Sequence, residues 1–178
     1  MARTSTQQVT LKPQDLLVLL AMSARDAAGT YADLAAHTGL AASAVHSALK
    51  RAATCGLVRF QDRQPLVLKP QLREFVLHGA KYVFPAVFGR IVRGVPTSYA
   101  AAPLNEAIAP SSDPPPVWPH KNGAARGVAL VPLYPSVPEA ALRDEKLYAL
   151  LALFDALRSG QARERNLAQG MLEERLGA

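Results

Sequence analysis

The sequence predicts a mainly α-helical fold with a small β component. Three observations carry this. Apolar residues recur at helical spacing in several separate stretches, each bounded by a capping or breaking residue. Two short β-prone runs, "LVRF" and "PLVLK", follow the third of these stretches and flank the polar tip "QDRQ". Prolines and glycines then crowd residues 85–138, before helical periodicity returns.

In order along the chain, residues 1–11 read as a loose arm. Pro13 sits where a first helical turn tolerates its missing N–H. "QDLLVLLAMSA" is apolar almost throughout and reads as a central helix. Thr30 is an N-cap, and Asp33 three residues on can reach back to it as in a capping box. The helix from Tyr31 to His37 is expected to bury Ala32, Leu34 and Ala35. Gly39 suits the positive φ of a tight turn. A third helix spans about Ala42 to Cys55, with Val45, Ala48, Leu49 and Ala52 on its buried face. Gly56 ends it. The two β-runs form a hairpin. Gln71 to Phe84 is another helix, with a stripe of Leu72, Phe75, Val76, Ala80 and Val83.

Within the Pro-rich stretch, "PSSDPPPVWP" at 110–119 is expected to hold neither a regular helix nor a central strand. "RIVRGVPTSY" and "RGVALVPLY" are β-type runs suited to a small sheet. Ser136 and Glu139 form a second capping-box pattern. Helices follow at about Glu145–Leu157 and Ala162–Leu176. The chain thus divides at residue 84 into a head and a Pro-rich and helical C-terminal region.

The 178 residues carry a net charge of +6, which makes an anionic partner plausible, nucleic acid first. The charge is uneven: +4 over residues 1–70 (8 basic, 4 acidic), +3 over 71–133 (6 and 3) and −1 over 134–178 (6 and 7). The single cysteine, Cys55, rules out an intrachain disulfide and suits a reducing cytoplasm. It reads as buried packing. No apolar run is long enough to span a bilayer, so no membrane partner is expected.

Three helices and a two-stranded ribbon are the order of a winged helix-turn-helix. "TYADLAAHTGLAASAVHSALKRAATCGLVRF" resembles the reading head of bacterial MarR-type regulators, over about residues 12–70. On the residues themselves, Ser43, His46, Ser47 and Lys50 fall at i, i+3, i+4 and i+7, opposite the Val45/Leu49 stripe, with Arg51 flanking them. Slim hydroxyls and alanines let a helix lie deep in the major groove, while histidine and lysine supply donors. The same face also fits an ordinary solvated helix surface. The resemblance implies that Ser43, Ser47 and Lys50 face DNA and that Thr30 and Tyr31 meet phosphate. Arg59 and Arg63 would be wing contacts. Unlike that family, almost nothing precedes the head and the C-terminal half lacks the usual dimer helices.

The four histidines show no paired ligand spacing, and no Walker, GxGxxG or GxSxG motif occurs. No catalysis, metal or cofactor is expected. Tyr99, Trp118, Tyr134 and the nearby prolines are read as lining a pocket or forming a peptide-docking surface, with a structural plug as the alternative for Trp118. The expectation is a cytoplasmic, sequence-specific transcriptional regulator, a repressor that binds double-stranded DNA as a homodimer. The 145–157, 162–176 and 71–84 helices are its dimer candidates. Two rivals stand beside it. One is an antitoxin-like autorepressor whose C-terminal half binds a protein toxin. The other is a winged-helix interaction module without specific DNA binding.

Overall fold

The computed structural model describes residues 8–25, 29–109 and 111–177. Most of the N-terminal arm and Pro110 lie outside the described residues.

The head is built as the sequence dictates. Helix α1 (Pro13–Ala24) starts at Pro13, and every residue from Asp15 to Ala21 is buried. Helix α2 (Tyr31–Thr38) is capped by Thr30: Asp33 N–H donates to its hydroxyl at 3.1 Å, and Thr30 N–H donates to the Asp33 carboxylate at 2.9 Å. Leu34 is buried and Ala35 half-buried, but Ala32 faces solvent, so the α2 contact stripe is narrower than expected. Gly39 takes φ 71° and turns the chain into α3 (Ala42–Thr54). Val45, Ala48, Leu49 and Ala52 are all buried, the face predicted from their spacing. Gly56, at φ 74°, releases the chain into the hairpin of β1 (Val58–Gln61) and β2 (Gln64–Val67). Its two-residue tip, Asp62 and Arg63, has φ of 49° and 64°. Positive φ at both positions is the hairpin geometry that matches strand twist, and here it falls on two non-glycine residues.

Next comes a helical rod made of α4 (Lys69–Glu74), a π-turn at Phe75–Gly79 and α5 (Ala80–Val83). The wider π-turn rotates the helical phase of the residues beyond it. Leu72, Val76 and Ala80 remain buried, but Val83 of the expected stripe is exposed, while Leu77 and Phe84 turn inward.

The Pro-rich region folds into a small closed sheet of three strands, β3 (Phe88–Pro96), β4 (Pro116–Pro119) and β5 (Ala125–Leu130). Strand β4, paired on both sides, corrects the expectation that 110–119 holds no central strand. It runs antiparallel to β3 and parallel to β5. Pro116 and Pro119 occupy only its first and last positions, so Val117 and Trp118 keep their N–H groups. Proline carbonyls still accept: Thr97 N–H bonds Pro116 O at 3.0 Å, and Val128 N–H bonds Pro115 O at 2.9 Å. Closure of so few strands demands close backbone approach. A Cβ on Gly127 would lie 1.8 Å from Pro115 O, and one on Gly94 would lie 2.2 Å from Trp118 O.

A short helix α6 (Leu104–Ala107) lies between β3 and β4. Helices α7 (Val137–Ala141), α8 (Glu145–Ser159) and α9 (Ala162–Gly177) complete the chain. The Ser136–Glu139 capping box does not form. Ser136 and Glu139 bond elsewhere, and Asp144 instead caps α8 through the N–H groups of Lys146 and Leu147 at 2.8 and 3.1 Å. Every residue of α8 from Leu150 to Leu157 is buried inside its own chain, against α1, α5 and α9. That overturns its place as a dimer helix, because its apolar surface is already spent. One continuous core runs from Leu16 to Leu176 and crosses residue 84.

A polar hub pins the small sheet to α8. Asp155, 1% exposed, accepts from Thr97 Oγ1 at 2.7 Å, Trp118 Nε1 at 2.6 Å and Arg158 Nε at 2.8 Å. Arg158 also donates to Val131 O at 2.8 Å. Burial pushes the Asp155 carboxyl upward, against the pull of Arg158 and of the hydroxyl and indole donors. Trp118 is therefore a plug with a satisfied N–H, not a pocket wall. Beside it, burial raises the Tyr148 phenol to about 12, so it remains a donor to Pro96 O.

Candidate nucleic-acid interface

Helix α3 has one face in the core and one in water. The outward face carries Ser43, His46, Ser47 and Lys50, all exposed. Alanines 41 and 42 leave its leading end narrow and exposed. Tyr31, at the start of α2, meets the His46 ring edge-on at 5.6 Å, so the two helices present a joined polar and aromatic rim. Arg59 and Arg63 are exposed on the hairpin, Arg63 at its tip.

Two of the predicted positions are otherwise engaged. The Thr30 hydroxyl is held within the α2 cap, donating to Asp33 Oδ2 at 2.8 Å. Arg51 turns away from the outward face. Its Nε and Nη2 donate to Asp15 Oδ2 and Oδ1 at 2.8 and 2.6 Å. Asp15 is fully buried and also accepts Lys12 N–H at 2.9 Å. This bond raises the Arg51 pKa. The fork-on-fork pair locks α3 to α1. Arg51 thus fixes α3 against α1, whereas the side chain before it, Lys50, faces solvent. The signal available in the sequence was an acid, Asp15, opening an otherwise apolar helix.

A clasp from the C-terminal region holds the end of α2. Ser136 Oγ donates to Thr38 O at 2.6 Å, and Arg143 Nη1 donates to Ala36 O at 3.1 Å. His37 Nε2 lies 3.1 Å from Asp144 Oδ2. His37 thus joins the end of α2 to the start of α8. Carbonyls that α2 would leave open at its C-terminus are closed by residues about a hundred positions away.

Cys55 is exposed, not buried as expected, because Gly56 reverses the chain and Leu57 takes the inner position. Partial burial, aided by the Asp15 charge, raises its thiol pKa, which keeps it protonated and a poor nucleophile. Among the described residues no three metal-ligating side chains gather, and no helix is long and apolar enough to cross a membrane.

Residues 16–62 match the family model of the IclR helix-turn-helix domain. The matched segment runs from α1 to the hairpin tip, so the resemblance to MarR-type heads holds for the winged helix-turn-helix architecture and not for the type. No curated protein and no solved structure matches the chain. The N-terminal segment is thus similar to helix-turn-helix domains of the IclR type, which supports a DNA-binding transcriptional regulator.

Proposed function

We propose that the protein is a sequence-reading repressor that lays α3 in the major groove of duplex DNA. The observation that supports this best is the division of α3. Val45, Ala48, Leu49 and Ala52 are buried, while Ser43, His46, Ser47 and Lys50 are exposed on the other side. Short side chains at the leading end allow depth, and His46, Ser47 and Lys50 bring donors to base edges. Tyr31, Arg59 and Arg63 flank that face and serve as phosphate contacts, which position rather than specify. Arg51 acts through Asp15 as a positioning residue.

The reading includes a dimer, since paired heads meet paired half-sites about one helical turn apart. Its contact surface is not α8. Tyr82 and Val83 at the end of α5, and Val87 and Phe88 leading into β3, are exposed apolar side chains, and Tyr82 is 77% exposed. We take these two pairs as the contact surface.

The test is a fluorescence-anisotropy titration against the DNA directly upstream of the coding region, beside a scrambled duplex, at two salt concentrations. Tighter binding to the native segment that survives the higher salt supports the reading. Equal binding to both that salt abolishes would sink it.

A further inference from the structure

The small sheet carries a second basic surface that the reading head does not use. Arg93 on β3 and Arg126 on β5 stand directly opposite each other in the antiparallel register, and both are exposed. Side chains so paired leave the same face of the sheet with Cβ atoms about 5 Å apart, where like charges repel. Among the described residues neither has an ion-pair partner. A third cation joins them. His120 N–H donates to Arg93 O at 3.2 Å, so the exposed Lys121 begins the turn beside Arg93. Three uncompensated cations on one rim cost stability, and a polyanion relieves that cost.

This rim is tied to the reading head through α7. His120 Nε2 lies 3.3 Å from Glu139, and Glu139 lies 3.6 Å from Arg143. Arg143 in turn bonds Ala36 O, and Ser136 bonds Thr38 O. Ala36 and Thr38 end α2, and the Gly39 turn leads straight into α3. These contacts tie the strand end beside Arg93 to the C-terminus of α2, which leads through Gly39 into α3.

We propose that Arg93, Lys121 and Arg126 hold backbone phosphates of the duplex beside the segment in which α3 lies. This rests on the DNA-binding reading above and extends it from the head to the C-terminal region. The rim positions the duplex and adds affinity without sequence preference.

The test compares the full-length protein with Arg93→Ala/Lys121→Ala/Arg126→Ala. The probe is the same labelled upstream duplex, titrated over a series of salt concentrations. Each lost phosphate contact lowers the slope of log affinity against log salt by about 0.9. The slope is expected to fall by between two and three, with the preference over scrambled DNA unchanged. Arg93→Lys/Arg126→Lys should retain it. If thermal melting shows the triple variant to be unfolded, Arg126→Ala alone should lower the slope by about 0.9. An unchanged slope in variants that bind as tightly as wild type overturns this inference and leaves the repressor reading standing. Failure of the wild-type protein to bind either duplex overturns both. Lost binding to single-stranded RNA with an unmoved DNA slope assigns the rim to RNA and also overturns the proposal.

Discussion

The guanidinium of Arg51 grips the fully buried carboxylate of Asp15 through two bonds of 2.8 and 2.6 Å. The pair joins the first and third helices of the head at the point where α3 must be held at one angle. Arg51→Ala leaves Asp15 as an uncompensated buried charge. It should destabilise the protein by about 3–5 kcal/mol, read from chemical denaturation. The double variant Asp15→Leu/Arg51→Leu should regain much of that loss. A loss under about 1 kcal/mol for Arg51→Ala would show that the pair is not needed.

Its neighbour behaves oppositely. The Lys50 side chain is exposed and bonds nothing among the described residues. Lys50→Ala should leave the melting temperature unchanged and weaken duplex binding by about 1–3 kcal/mol. Anisotropy and melting curves on one preparation separate the two effects. A melting shift without a binding change would mean that the outward face has been misassigned.

Asp155→Ala strips the Thr97 hydroxyl, the Trp118 indole and Arg158 of one shared acceptor. The expected cost is about 3–5 kcal/mol, because Arg158 becomes the unpaired charge. Trp118 is the only tryptophan, so its fluorescence reports the site directly. Its emission should move to the red as water reaches the indole.

The α2 cap has a pH signature. Bonds from the Thr30 backbone and hydroxyl hold the Asp33 pKa below the ordinary aspartate value. A depressed folded value means the cap contributes fully above the unfolded pKa and is lost as pH falls through the folded one. The Thr30 and Asp33 amide resonances should therefore hold steady down to about the ordinary aspartate value and shift below it. Asp33→Asn should abolish that titration.

The hairpin tip sets stability against binding. Arg63 has φ 64°, a conformation that costs a non-glycine residue roughly 1 kcal/mol. Arg63→Gly should raise stability by about that amount. It should also lower the salt slope of DNA binding by about 0.9. A slope that does not move would remove Arg63 from the interface.

The head was legible because its signals are local. Thr30 and Asp33 lie three residues apart, and the Val45–Ala52 stripe needs only helical periodicity. The hairpin likewise declares itself through its polar tip. The sheet of β3, β4 and β5 was half legible. Its two valine-rich runs stood out, but β4 hides among prolines and depends on Gly94 and Gly127 letting backbones touch. The Asp155 hub was not legible, since Trp118 and Thr97 lie 37 and 58 residues away from it in sequence. Arg51 misled for a related reason: helical spacing names a face, whereas a long side chain can swing off that face to a buried partner. Val83 misled because a π-turn breaks the period that placed it.

The bond from Ser136 to Thr38 has a consequence for protein engineering. Reading heads are often treated as cassettes, to be cut out and fused to a new sensor. Here the cut would open the C-terminal carbonyls of α2 and strip α1 of its α8 neighbour. A chimera keeping only residues 8–84 would need a replacement for that wall before it could be soluble, let alone selective.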